Sequence, residues 1–205
     1  MPGGMILLMI IGVLVWCGVL QRVLDRMRLS DRTALLLTGL MLLGTFLPDL
    51  TIGRVSLNLG GALIPLGVCA YLLIRADEPK ERWRALLGSV ITAAGIYCLA
   101  RLLPAEPEKL PADPTLLCAL LGGVAGWLLG RSRRGAFICG VAGMLLADTA
   151  VALVNWSQGL DVRLALGGAG IADAAVLSGV FSVLLCELAG EIIERLVRRR
   201  GGKPA

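Results

Sequence analysis

Three aspartates interrupt the apolar stretches of this chain, and each stands where a carboxylate could do chemistry. Asp148 lies in Leu145-Leu-Ala-Asp-Thr149, far inside an apolar run. Asp173 ends Gly167-Gly-Ala-Gly-Ile-Ala-Asp173, immediately before another run, and Asp49, in Leu47-Pro-Asp-Leu-Thr51, follows a third. A carboxylate in apolar surroundings is costly unless it meets a cation, a proton or hydrogen-bond donors. Two close carboxylates can share a proton and activate water for peptide hydrolysis. The same groups can hold a cation or pass protons, with glycine carbonyls and neutral Thr51, Thr149 and Asn58 as partners. The structural alternative is that each aspartate caps a broken helix or pairs with Arg54 or Arg163. The candidate ligand set is therefore Asp49, Asn58, Gly60, Gly61, Asp148, Thr149, Gly167, Gly168 and Asp173. Asp148 and Asp173 are the catalytic pair if the protein is a protease, and whether it is an enzyme stays open. Glu187, fourteen residues past Asp173, falls about 21 Å deeper along a helix and belongs to the opposite half.

Metal and cofactor chemistry have little to work with. The chain has no histidine, which excludes histidine-ligated zinc or haem. Its six cysteines, Cys17, Cys69, Cys98, Cys118, Cys139 and Cys186, all fall in apolar runs without C-x-x-C spacing. They are expected to be small packing residues, and neither a metal nor a cofactor is expected.

The glycines of the candidate set belong to an internal repeat. Val55-Ser-Leu-Asn-Leu-Gly-Gly-Ala-Leu-Ile64 recurs as Val162-Arg-Leu-Ala-Leu-Gly-Gly-Ala-Gly-Ile171, with seven of ten positions identical. Each copy begins Val-x-Leu-x-Leu, the period-two pattern of a short strand. Gly-Gly then breaks the pattern before a helix. Each copy thus predicts a strand–Gly-Gly–helix segment, and the two could pair as a small two-stranded ribbon, satisfying backbone groups that lipid cannot. Four spans separate the copies, so both lie on one side, as in a parallel repeat.

What positions these segments is a set of membrane helices. Mean hydropathy is +0.81 and only 17% of residues are charged, against about a quarter in soluble domains. Runs this apolar exceed what one small soluble core can bury, and lipid is their natural solvent. The 27 glycines suit helices that approach closely in a bilayer. Seven spans are predicted, roughly 5–24, 33–48, 61–75, 85–103, 115–130, 136–156 and 173–195, forming a single integral domain over 1–205. The fold class is an all-α bundle of about seven transmembrane helices with the two extended segments on its outer side. Sixteen of the 20 basic residues fall in alternate connections and ends, around Arg22–Arg32, Arg75–Arg84, Arg131–Arg134 and Arg195–Lys203. The positive-inside rule places these in the cytoplasm, with the N-terminus outside and the C-terminus inside. The net charge of +5 is then a topology signal, and nucleic acid is not an expected partner. The expected partners are the lipid bilayer and a small ion or solute; oligomeric state is not encoded legibly.

Leu59-Gly-Gly-Ala-Leu-Ile-Pro-Leu-Gly-Val-Cys-Ala-Tyr-Leu-Leu73, Leu146-Ala-Asp-Thr149 and Gly167-Gly-Ala-Gly-Ile-Ala-Asp-Ala-Ala-Val-Leu-Ser-Gly179 resemble the prokaryotic membrane proteins of domain-of-unknown-function family 1614. The likeness covers roughly residues 40–190. It departs from the family pattern at Ala172 and Ala174, which flank Asp173, and it implies a multi-pass protein of a prokaryotic plasma membrane without implying an activity. The chain also resembles GxGD-type intramembrane aspartyl proteases, with Asp148 as the first aspartate. Gly168-Ala-Gly170 is followed by two further residues before Asp173, and no tyrosine precedes Asp148, so both parts of that motif are broken. The functional expectation is an uncharacterised membrane protein that binds or transports a small ion or solute at an outer-half polar site. The alternatives are an intramembrane protease or a non-catalytic membrane scaffold.

Overall fold

The computed structural model describes residues 17–19, 21–24, 27, 29, 31–76, 78–102, 114–130 and 132–201. The first expected span, 5–24, lies largely outside these residues, as does the connection 103–113. Six helices follow in order: α1 Asp31–Phe46, α2 Ile64–Ile74, α3 Pro79–Leu102, α4 Pro114–Gly130, α5 Arg133–Ser157 and α6 Ala174–Gly201. They fall at the positions of the six remaining expected segments, and α3 and α5 start a few residues earlier than the apolar text does. Ser132 explains the start of α5, because its hydroxyl accepts the Gly135 N–H at 3.0 Å and caps the helix ahead of its first apolar residue. Among the described residues, three helices are long and apolar enough to cross a membrane: α3, α5 and the Ala174–Ile192 part of α6. Arg32–Phe46, Leu59–Ile74 and Leu117–Gly130 are apolar but shorter.

Helices α3, α4, α5 and α6 form a four-helix bundle in which α5 touches the other three. Small residues make the contacts. A Cβ added at Gly140 of α5 would come within 2.9 Å of the Gly179 Cα on α6. One at Gly126 of α4 would meet the Ala136 carbonyl at 2.9 Å, and one at Gly143 would meet the Thr92 side chain of α3 at 2.7 Å. Helices apolar on every face gain little from hydrophobic burial against one another in lipid. Close backbone approach, which lets dispersion contacts accumulate, is what holds them. The Ser182 hydroxyl adds a hydrogen bond across the α5–α6 contact to the Ala136 carbonyl, at 2.8 Å.

The outward faces stay apolar. On α3, Leu86, Leu87, Val90 and Ile91 are all exposed, and on α1 so are Leu36 and Leu43. Patches of this extent are rare on water-soluble monomers. At the basic end the arginines close helix termini, whose last carbonyls lack partners within their own helix. Arg84 donates to the Gly130 carbonyl at the end of α4, 2.6 Å away, and Arg82 donates to Ile74 and Ala76 just past α2. Arg134 donates to the Arg75 carbonyl at 3.1 Å. Glu187 meets Arg133 at 3.6 Å at this end, in the half opposite to the aspartates.

The other end carries a small sheet. Strand β1 (Leu50–Ile52) pairs antiparallel with β2 (Val55–Leu57) through a two-residue turn. Gly53 takes φ +61° there, a conformation that glycine adopts without strain. Strand β3 (Leu164–Leu166) then pairs parallel with β2. The two repeat copies thus do pair, but the expected two-stranded ribbon is a three-stranded sheet. Register sets Val55 opposite Leu164, two residues past its repeat equivalent Val162, so the copies are not exact symmetry mates.

Candidate functional site

The first copy of the repeat is organised by Asn58. It is 4% exposed, and its side-chain oxygen accepts the N–H groups of Gly60 and Gly61 at 2.9 and 3.0 Å. Its side-chain amide donates to Asp49 at 2.8 Å, and its backbone N–H donates to the Leu166 carbonyl of β3. The second Asp49 oxygen accepts the Ser56 hydroxyl at 2.9 Å, which closes the β1–β2 hairpin. A side-chain acceptor at residue 58 lets the chain enter a helical turn at once, over Leu59–Leu63. That turn is a π-turn, in which the Ile64 N–H donates to the Leu59 carbonyl five residues back. Pro65 has no N–H to offer the ladder, and the α-helical pattern starts anew across it.

The second copy is built differently. Gly167 and Gly170 take φ +71° and +62°, and a short 3₁₀ turn covers Gly170–Ala172. The helix waits for Asp173, whose extended backbone precedes α6. One Asp173 oxygen accepts the Ala175 N–H at 3.0 Å and the other accepts the Ala169 N–H at 3.3 Å. Residues 158–163 are exposed, and the connection turns into the protein only from Leu164, where Leu164, Leu166, Gly167, Gly170 and Ile171 are buried.

The two copies cross on their glycines. A Cβ at Gly61 would clash with the carbonyls of Gly167 and Gly170, the latter at 2.6 Å. A Cβ at Gly60 would clash with the Met41 carbonyl of α1, and one at Gly44 would meet the Gly60 nitrogen at 2.7 Å. Thr45 fastens the crossing to α1: its hydroxyl donates to the Met41 carbonyl at 2.9 Å and accepts the Ile171 N–H at 3.0 Å. Gly168 differs from the others, with only the Ala165 Cβ at 3.8 Å near its would-be side chain.

Asp148 sits apart from this hydrogen-bonded framework. It lies in α5, nine residues before the helix ends at Ser157 and so about 13 Å below that end. Its carboxylate is close enough to Asp173 for the two charges to act on each other, and close enough to influence Cys118 of α4. Among the described residues no hydrogen bond or ion pair is made by it. Thr149 beside it returns its hydroxyl to the Leu145 carbonyl at 2.8 Å and does not donate to the carboxylate.

The candidate residues therefore fall into two groups. Asp49, Asn58, Gly60 and Gly61 form one bonded set in the first copy. Asp148 and Asp173 lie within electrostatic reach of each other beside the second, while Gly167 packs against Gly61 and Gly168 has room around it. Two neighbours were missed from sequence, Thr45 and Cys118. Gly44-Thr45, a small pair in the last turn of an apolar helix, is the signal that could have marked Thr45. Among the described residues, no group of three or more cysteine, aspartate or glutamate side chains is arranged to hold a metal, and the six cysteines are free thiols.

No curated protein and no solved structure matches the chain. A family model does match over residues 22–185, a range that takes in both repeat copies, the crossing and Asp148. On that match the chain belongs to the family described as protein of unknown function, DUF1614.

Proposed function

We propose that this is a multi-pass protein of a prokaryotic plasma membrane that binds a small cation, a proton included, at Asp148 beside the crossing of the two repeat copies. The observation that carries the reading is that Asp148 makes no hydrogen bond or ion pair among the described residues. A carboxylate within a helix of membrane-crossing length, with no hydrogen bond or ion pair among the described residues and with a second carboxylate in electrostatic reach, favours a cation or proton beside it. The membrane setting is supported by the three long apolar helices and by the apolar outward faces of α1 and α3. The seven-span arrangement with the N-terminus outside rests on the alternation of basic connections. A cysteine probe placed in 131–134 and labelled from the outside would overturn that orientation.

The test of the site is ligand-dependent stability. The purified protein is melted in a series of monovalent and divalent cations and across pH. A ligand at a hundred times its Kd raises stability by about 2.7 kcal/mol. Asp148→Asn keeps the fold and abolishes this response. An Asp148→Asn protein that responds as the original does sinks the proposal. Proteolysis by the same two carboxylates is the second reading, favoured by their mutual influence. It is weakened because both Asp173 oxygens already hold backbone N–H groups.

A further inference from the structure

We infer that the groove between α3 and α4 holds one anionic phospholipid, with its phosphate at Lys80 and an acyl chain along Leu87, Ile91 and Leu129. The groove has a volume of about 510 Å³. Its charged lining residues, Lys80 and Arg84, are both basic and sit at one end, in the first two turns of α3. The lining then turns apolar. Positions 80, 84, 87 and 91 recur at spacings of four, three and four, which places them on one face of the helix. The groove is thus polar to apolar along its length, as a phospholipid is. From Lys80 to Ile91 is eleven residues, about 17 Å, close to the depth of one leaflet of a bilayer core of about 30 Å. Trp83 marks the junction: it is 67% exposed, and indole rings favour the headgroup level. Glu81, on the same turn as Lys80, is held by the Ser132 hydroxyl at 2.6 Å and does not line the groove, whose charged lining residues are both basic. A second groove of about 500 Å³, between α1 and α2, makes the contrast. Its lining is apolar apart from Thr33 and Tyr71, so nothing in it selects a charged headgroup.

The inference rests on the membrane reading but not on the Asp148 site. It is tested with the whole chain in nanodiscs of equal parts phosphatidylcholine and phosphatidylglycerol. Lipid retained on the protein is read by native mass spectrometry. Failure to enter the discs at all would count against the membrane reading itself. Once the protein is in the discs, phosphatidylglycerol should be enriched on it. Lys80→Gln, at an exposed position, should lower the enrichment about five-fold, the effect of one basic residue at an anionic surface. Arg32→Gln, an exposed basic position on α1 outside the groove, should leave it unchanged. An original protein without enrichment, a Lys80→Gln protein that keeps it, or an Arg32→Gln protein that loses as much each overturns the assignment.

Discussion

The two copies of the repeat share seven of ten residues and adopt different conformations. Residues 59–63 form a helical turn directly after β2, whereas 167–169 form a turn and helix α6 starts only at Ala174. Two of the three differing positions account for this. Asn58 stands where the second copy has Ala165, so only the first copy has a side chain that can accept the glycine N–H groups. Leu63 stands where the second copy has Gly170, which takes φ +62° and permits a turn that leucine would resist. The second copy then finds its cap late, at Asp173. The late cap also sets the Asp173 carboxylate within electrostatic reach of Asp148. One copy closes on itself through Asn58 and Asp49, and the other holds a carboxylate within electrostatic reach of Asp148.

The largest test of this contrast uses equivalent glycines. Gly61→Ala forces a Cβ into the Gly167 and Gly170 backbone, which has no room to yield. A loss of roughly 4 kcal/mol or failure to insert is expected, since backbone cannot rotate out of the way as a side chain can. Gly168→Ala, at the same place in the other copy, meets only ordinary contact and should change stability by no more than about 1 kcal/mol. Denaturation of both variants in micelles decides the matter. Equal losses would mean that the copies are equivalent after all.

Next in size is the cap. Asn58→Ala leaves the buried Gly60 and Gly61 N–H groups and the Asp49 carboxylate without their partner. A loss of roughly 3 kcal/mol is expected from the cap and the orphaned donors together. Asn58→Asp would keep the acceptor but set a second carboxylate against Asp49, so it should recover only part of the loss. Ala165→Asn should not convert the second copy, because Gly167 and Gly170 have already committed the backbone. A thermal melt that ranks Asn58→Ala with Ala165→Asn would break the account.

Much of this was legible in the sequence because it is local. The repeat, its period-two starts and the glycine pairs are read directly, and so is a cap at Asp173, which stands before an apolar run. Other parts were not legible because they depend on distant partners. Leu50–Ile52 becomes a strand only because Gly53-Arg54 turns the chain back onto it. The second copy pairs two residues late because Leu164 donates its N–H to the Arg54 carbonyl, across more than a hundred residues of sequence. The four-helix bundle was hidden for a different reason. The exposed side of α3 carries Leu86, Leu87, Val90 and Ile91 while its buried side carries Ala85, Gly88, Ser89 and Thr92, so the pattern that marks a buried face in water is absent. Only the small residues, Gly126, Gly140 and Gly179 among them, carry that information.

Asp173 gives a third and smaller test. As a cap it should tolerate Asn, at a cost of about 1 kcal/mol or less, because Asn accepts the Ala175 N–H nearly as well. Asp173→Ala should lose about 1 kcal/mol more. If the cation at Asp148 also uses the charge of Asp173, Asp173→Asn should weaken binding while leaving the melting temperature of the ligand-free protein nearly unchanged. Retention of full binding by Asp173→Asn would confine the site to Asp148.

The smallest effect concerns the ion pair that joins the copies from outside. Arg54 in the β1–β2 turn meets Asp161, ahead of β3, at 2.9 Å, with the two side chains 59% and 79% exposed. Water and salt screen a pair this open, and ordering two exposed side chains opposes the attraction. A double-mutant cycle over Arg54→Ala and Asp161→Ala should therefore give a coupling of about 0.5 kcal/mol or less, falling further as salt is added. The neighbouring backbone contact should behave otherwise. The Leu164 N–H reaches the Arg54 carbonyl at 2.9 Å and survives either substitution, so β2 and β3 should stay paired in both variants. Slow amide exchange at Leu164 in Arg54→Ala would confirm that the copies are joined by their backbones. Loss of that protection would mean that the exposed pair, and not the strand register, holds the second copy in place.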